Sequence, residues 1–292
     1  MSVPLPRLVL LALLAPLAAC GSDDGSGQTD HQAVTLTAQQ TARVDRGAEA
    51  YADYVRTETD LLLAGTARFV AAYKNGDDEW ARSLYAPTRM HWEAIEPVAE
   101  TFGDLDPRTD AREADLAEGD EWAGWHLIEK DLWPAAAGAG YHPLTDAERT
   151  EYADRLLADL STLEGEVADA DYTGEQIANG AKELLDEVAN GKVTGEEEFW
   201  SHTDLYDFQA NVDGAKKSFD VLTPVVDETD PGLAQALTTR FAELQTLLDQ
   251  HRAGDGFVSY TDLTGDEVKE LSDAVNALSE PLANLAAAVA PR

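Results

Sequence analysis

The sequence predicts an all-α fold, arranged as two packed, four-helix-like bundles. Three observations predict it. Apolar residues recur three and four apart from about Ala42 almost to the C-terminus. Helix starts and stops are marked by capping residues, glycine and proline. Strand signals are confined to Gly256–Tyr260.

The first helix carries Tyr51, Val55, Glu58, Leu62, Thr66, Phe69 and Tyr73 on one stripe and stops at Asn75-Gly76. Asp77 opens the next, whose stripe runs Trp80, Leu84, Ile95, Val98 and Phe102, with kinks expected at Pro87 and Pro97. Gly103–Asp110 reads as an Asp- and Pro-rich loop, Trp122–Trp133 as a helix, and Pro134–Gly140 as an Ala/Gly linker. Thr145 with Glu148 three residues on is a capping box for a long helix to about Ala168. Helices follow at Gly174–Asn190, around Leu205–Leu222, from Pro231 past Leu248, and around Leu271–Leu282, which makes seven to nine in all.

The N-terminus predicts a different fate for its residues. A short segment with Arg7 precedes the apolar run Leu8–Ala19, which is too short for a bilayer span of about 20 residues but suits a signal peptide. The run ends Leu17-Ala18-Ala19-Cys20-Gly21, which resembles a bacterial lipobox. Residues 1–19 are therefore expected to be a lipoprotein signal peptide, with Cys20 lipidated as the first mature residue. Residues 20–41, rich in Gly, Ser, Asp, Thr and Gln, read as a flexible tether, and 42–292 as the folded domain. Cys20 is the single cysteine, so no disulfide supports the fold.

With 56 acidic and 21 basic residues the net charge is −35, which excludes a nucleic-acid binder built on phosphate contacts and disfavours electrostatic docking on anionic lipid. A field of that sign draws in cations. A hydrophobic content of 44% is ample for a core, so most carboxylates are expected on a solvated surface.

A few residues break that pattern. Glu58 lies on an apolar stripe, where a carboxylate is costly to bury unless paired or ligating. Glu93 and Glu96 leave one helical face, with Arg89 one turn earlier able to neutralise Glu93. His126 and Glu129, at i and i+3 on a stripe bounded by Trp122 and Trp133, can clasp one metal ion or simply hydrogen-bond each other. His91 reads as a core or supporting residue, His202 as part of a helix start, and His31, His142 and His251 as exposed.

The segments Tyr54–Glu58, Leu84–Arg89, Trp92–Glu100, Phe102–Pro107, Asp110–Glu113, Trp125–Glu129, Gly195–Glu197 and Ser201–Asn211 closely resemble the EfeO/EfeM proteins of the imelysin-like group, over about Ala42 to Pro291. That resemblance implies an imelysin-like all-helical double bundle with a metal site around the His-x-x-Glu motif. Carried over residue by residue, it implies Glu58, Glu93, Glu96, Asp110, His126, Glu129 and Glu197 as the metal-binding set. It further implies iron (Fe2+ or Fe3+) as the ion, and a membrane permease and a haem peroxidase of the Efe system as partners. Longer relatives carry a cupredoxin-like domain for which the residues before Ala42 leave no room, so the chain resembles the short EfeM type and is expected to be without that domain's redox site.

A carboxylate cluster with one imidazole and no thiolate is a hard site that suits iron and would also accept Zn2+ or Cu2+. The function expected is an extracytoplasmic, lipid-anchored protein that captures iron and passes it to a permease. An alternative is an acidic-polysaccharide-binding lipoprotein, which the −35 charge disfavours unless a metal bridges. Peptidase activity, suggested by the group's classification, is not expected. The sequence holds no His-Glu-x-x-His pair for a zinc and its general base, and no G-x-S-x-G elbow.

Overall fold

A computed structural model describes residues 35–290; Cys20, the signal segment and most of the expected tether lie outside them. The helices are α1 (Ala38–Lys74), α2 (Asp78–Glu93), α3 (Glu96–Ala99), α4 (Leu105–Thr109), α5 (Trp125–Leu132), α6 (Pro134–Ala137), α7 (Asp146–Ala168), α8 (Gly174–Asn190), α9 (Asp204–Thr229), α10 (Pro231–Asp249), α11 (Gly265–Leu282) and α12 (Leu285–Val289). A two-residue antiparallel pair, Arg252–Ala253 with Gly256–Phe257, is the strand content among the described residues. The fold is all-α, as the spacing predicts.

Local rules account for most boundaries. Capping boxes at Thr37/Gln40, Thr145/Glu148, Thr173/Gln176 and Thr264/Glu267 open α1, α7, α8 and α11, each satisfying N–H groups that the first turn leaves unpaired. The first of these starts α1 at Ala38, a few residues inside the stretch 20–41 read as tether. Pro231 sits at the first turn of α10, where its missing N–H costs nothing.

Four expectations are corrected. Pro87 leaves α2 unbroken; the chain turns instead at Ala94–Ile95, ahead of Pro97, which takes the second position of α3. The Gly103–Asp110 stretch contains α4, and Pro134–Ala137 is a short helix rather than pure linker. The helix expected from Trp122 starts only at Trp125, because Gly124 precedes it with φ 93°. Trp122 is therefore off the helical stripe, its indole N–H donating to the Ala111 carbonyl at 2.7 Å.

α1 packs along α2 and α7, with α5 set against α2 and α7; α8, α9, α10 and α11 close a second four-helix ring. α1 and α2 also pack on α9, which joins the two groups through one continuous apolar core. Close crossings use small residues: a Cβ on Gly214 of α9 would lie 2.4 Å from the Ala94 carbonyl oxygen. α5 is short, so it needs outside support. Trp125 is seated against Phe69 and Tyr85, with ring centroids 5.2 and 5.8 Å away. At its other end buried Asp131 accepts from Tyr73 Oη (2.8 Å), Tyr141 Oη (3.0 Å) and the Leu144 N–H (2.8 Å), and pairs with Arg149 Nε (2.8 Å).

Candidate metal site

Most of the buried charged residues converge where α2, α5 and α9 meet. Eight carboxylates, those of Glu93, Glu96, Asp110, Glu129, Glu197, Glu198, Asp204 and Asp207, are buried there around Arg89 and Lys192. Burying one charge alone is prohibitive, so the arrangement stands only through mutual pairing.

Arg89 of α2 is the hub. Its guanidinium pairs with Glu93 (2.5 Å), Glu197 (2.9 Å), Glu198 (2.5 Å), Asp207 (3.5 Å) and Asp110. Lys192, in the turn after α8, places Nζ 2.5 Å from Glu93 Oε2 and 2.7 Å from Glu96 Oε2. Asn211 of α9 donates to the Glu93 carbonyl (3.0 Å) and to Glu93 Oε2 (2.9 Å), tying the end of α2 to the second bundle.

His126 of α5 is fully buried. Its Nδ1 lies 3.2 Å from Glu129 Oε2. Its Nε2 has no hydrogen-bond partner and faces Asp110 Oδ1 at 3.5 Å and Glu197 Oε1 at 3.6 Å. Asp110, His126 and Glu197 each offer a ligand atom within 4.8 Å of the others, which is the spacing a single ion would draw together. Asp110 is set by the Trp92 indole N–H, which donates to Oδ2 at 2.9 Å. Glu197 Oε2 is 3.3 Å from Arg112 on the rim.

The electrostatics sort these carboxylates into two kinds. Burial pushes Glu93 up, but Lys192 and Arg89 outweigh it and the carboxyl titrates below its ordinary range. Glu197 is displaced downward in the same way, burial being overcome by Lys192 and His126. Glu96 is pushed well up by burial and the charge of Glu93. Glu198 is raised by burial and Glu129, and Asp207 by burial and Glu198. Asp110 rises through burial, partly offset by Arg89 and His126. Burial and Arg89 act against the His126 imidazolium, yet contacts with Glu129 and Glu197 prevail and its pKa is pushed up to about 10. At neutral pH a proton on His126 thus neutralises the same carboxylates that an ion would.

Two openings reach this centre. A cavity of about 640 Å³ is bordered by Glu96, Asp110, Arg112, Lys192 and Glu197, and another of about 450 Å³ by Arg112, His126, Glu197, Phe199 and Trp200. Of the residues expected at the site, the fold brings Glu93, Glu96, Asp110, His126, Glu129 and Glu197 together. It does not bring Glu58, whose Oε2 pairs instead with His91 Nδ1 at 2.7 Å, beside a different cavity lined by Tyr54 and Asp213. Glu198, Asp204, Asp207 and Lys192 were not singled out from sequence. The acids left a trace, as Glu198 follows Glu197 and Asp204 and Asp207 stand at i and i+3; a lone lysine leaves none.

The sequence profile of the Imelysin family matches residues 47–285. An Efem/EfeO family lipoprotein of Staphylococcus haemolyticus (strain JCSC1435) is 41% identical over 285 residues, covering 95% of this chain and 96% of the relative. The Efem/EfeO family lipoprotein of Staphylococcus aureus (strain NCTC 8325 / PS 47) is 39% identical over 249 residues, covering 84% and 85%. Among solved structures, a protein from Parabacteroides distasonis ATCC 8503 described as a candidate iron-regulated protein A precursor superposes with a TM-score of 0.61 over 89% of this chain and 97% of its own, at 14% identity, which supports the fold alone. The family profile over residues 47–285 and the two lipoprotein relatives establish that the chain belongs to the imelysin family, as a protein of the EfeM/EfeO type.

Proposed function

We propose that this protein is the extracytoplasmic iron-capturing lipoprotein of an Efe-type uptake system, which binds iron at Asp110, His126 and Glu197 and hands it to a membrane permease, with a haem peroxidase as the third component. The observation that carries this reading is the unpartnered, fully buried His126 Nε2 aimed between two carboxylate oxygens. A buried donor or acceptor left unpaired is costly, and an ion at this point would relieve it.

The donor set is oxygen-rich with one imidazole, which suits iron and accepts Zn2+ or Cu2+. Glu93 and Glu96, which both pair with Lys192, take a supporting part. The net charge of −35 raises the local cation concentration at the openings. Lipid at Cys20 would hold the domain at the membrane. No helix among the described residues is long and apolar enough to cross one. In this role the site binds and releases an ion with no covalent bond made or broken, and the protein acts as a carrier rather than an enzyme.

The test is anaerobic titration with Fe2+, and separately with Zn2+ and Cu2+, of wild type and Asp110→Asn/His126→Ala, by calorimetry and thermal shift. Wild type should saturate and its thermal midpoint rise with ligand. A double variant that binds as tightly as wild type would overturn the site.

A further inference from the structure

Glu129 stands one turn after His126 on α5 and is fully buried, and both of its oxygens are already engaged. Oε1 accepts the backbone N–H groups of Trp200 (2.9 Å) and Ser201 (2.7 Å). Oε2 faces His126 Nδ1 at 3.2 Å. The nitrogen that faces Asp110 and Glu197 is the other one, Nε2. The two nitrogens of an imidazole point away from each other, so one ion cannot use both. An ion on Nε2 therefore lies on the opposite edge of the ring from Glu129.

We propose that Glu129 is a positioning residue rather than a ligand: it holds His126 with Nδ1 as the donor, which aims Nε2 at the ion, and it pins the segment that carries Glu197. The inference rests on reading Asp110, His126 and Glu197 as the ion's ligands. A carboxylate behind a metal-bound histidine fixes its tautomer and ring orientation. Here that carboxylate has a second task, because Trp200 and Ser201 follow Glu197 on the same short segment.

The segment lies between two backbone positions in the left-handed region. Backbone angles of φ 74° at Gly195 and φ 57° at His202 bound it, and a non-glycine residue adopts the latter only where its surroundings enforce it. Between them Trp200 is packed against Trp122 and Lys130, while Phe199 is 57% exposed beside the smaller opening. Displacing this segment would withdraw Glu197 from the ion and take two hydrogen bonds from Glu129 in the same movement. His126 would then lose the support that aims it. Two of the three ligands are thereby coupled through one side chain that does not touch the ion.

The experiment uses Zn2+ and 113Cd2+ as probes on the mature domain. In 113Cd2+-loaded wild type with 15N-labelled histidine, coupling to cadmium should appear on Nε2 of His126 and not on Nδ1, and the zinc-loaded crystal structure should show no Glu129 oxygen at the zinc. Glu129→Gln keeps an oxygen for the two backbone N–H groups but turns an NH2 toward Nδ1, which favours the wrong tautomer. It should weaken Zn2+ binding about 10–100-fold, with the number of zinc ligands seen by X-ray absorption unchanged. Without metal, the Trp200 and Ser201 amides should stay protected from hydrogen exchange in Glu129→Gln and lose protection in Glu129→Ala. A Glu129 oxygen bonded to zinc at about 2.0–2.2 Å, or one fewer oxygen ligand in Glu129→Gln, would overturn the proposal while leaving the iron-capture reading in place. Wild type that binds neither ion would remove that reading together with the ligand half of this one. The wild-type measurements decide the matter even if both variants misfold.

Discussion

His126 Nε2 and Glu197 Oε1 face each other across 3.6 Å inside the protein, one on α5 and the other on the segment before α9. The contact is too long for a hydrogen bond and short enough for one ion to replace it. Proton and metal therefore compete for the same few ångströms, and the first prediction follows from that competition.

Metal affinity should rise with pH. His126 holds its proton up to about 10, so across neutral pH each ion bound should release close to one proton, and apparent affinity should grow about tenfold per pH unit. Calorimetry in buffers of different ionisation enthalpy counts the protons released. An affinity flat between pH 6 and 8 would contradict this.

Metal-free stability should fall in the same direction. The folded pKa of His126 stands above its unfolded value of about 6.5, so its stabilising contribution is full below that value and is lost as pH rises toward about 10. Asp204, pushed up by burial to about 6, acts with the same sign between about 3.9 and that value. Glu93 and Glu197, displaced downward, act with the opposite sign: their contribution is full above the ordinary carboxylate range and is lost as pH falls below it. Urea unfolding of the metal-free protein should thus show greater stability at pH 6 than at pH 9.

Arg89→Met should be severe. Removing the hub leaves Glu93, Glu198 and Asp207 buried with too little positive charge, a loss of about 3–5 kcal/mol. Chemical unfolding at neutral pH measures it, and added Zn2+ should recover part of the loss by replacing the missing charge.

Gly124→Ala should displace α5. Its φ of 93° disfavours any side chain, and a Cβ there would stand 2.1 Å from the Thr109 carbonyl oxygen, one residue before Asp110. A loss of about 1–3 kcal/mol in stability should come with weaker metal binding, because His126 and Asp110 both move. Thermal unfolding with and without Zn2+ reports the two effects.

Glu58→Gln should leave metal affinity within threefold of wild type, because the Glu58–His91 pair belongs to another cavity. The same titration read for the site variants checks it. Cys20→Ser should move the protein from the membrane fraction to the soluble one, and retention after a salt wash would exclude the lipid anchor.

The all-α class was legible in the sequence because the apolar spacing and the caps are local. A capping box such as Thr145/Glu148 acts over three residues, and α7 starts where that box places it. Much of the site was legible for the same reason, together with family resemblance: Glu93, and His126 with Glu129, are close in sequence and stay close in the fold. Only the tertiary structure decided which carboxylates share a charge. Glu58 interrupts an apolar stripe, which leaves it paired or ligating, and family resemblance implied a ligand; yet His91, one turn after Pro87 on α2, takes it to a separate cavity. Lys192 carries no local signal at all, and becomes a central cation only because the turn after α8 delivers it to Glu93 and Glu96. Spacing along a helix sets which side chains share a face, whereas the energy of a buried charge depends on every charge within a few ångströms, whatever its position in the chain.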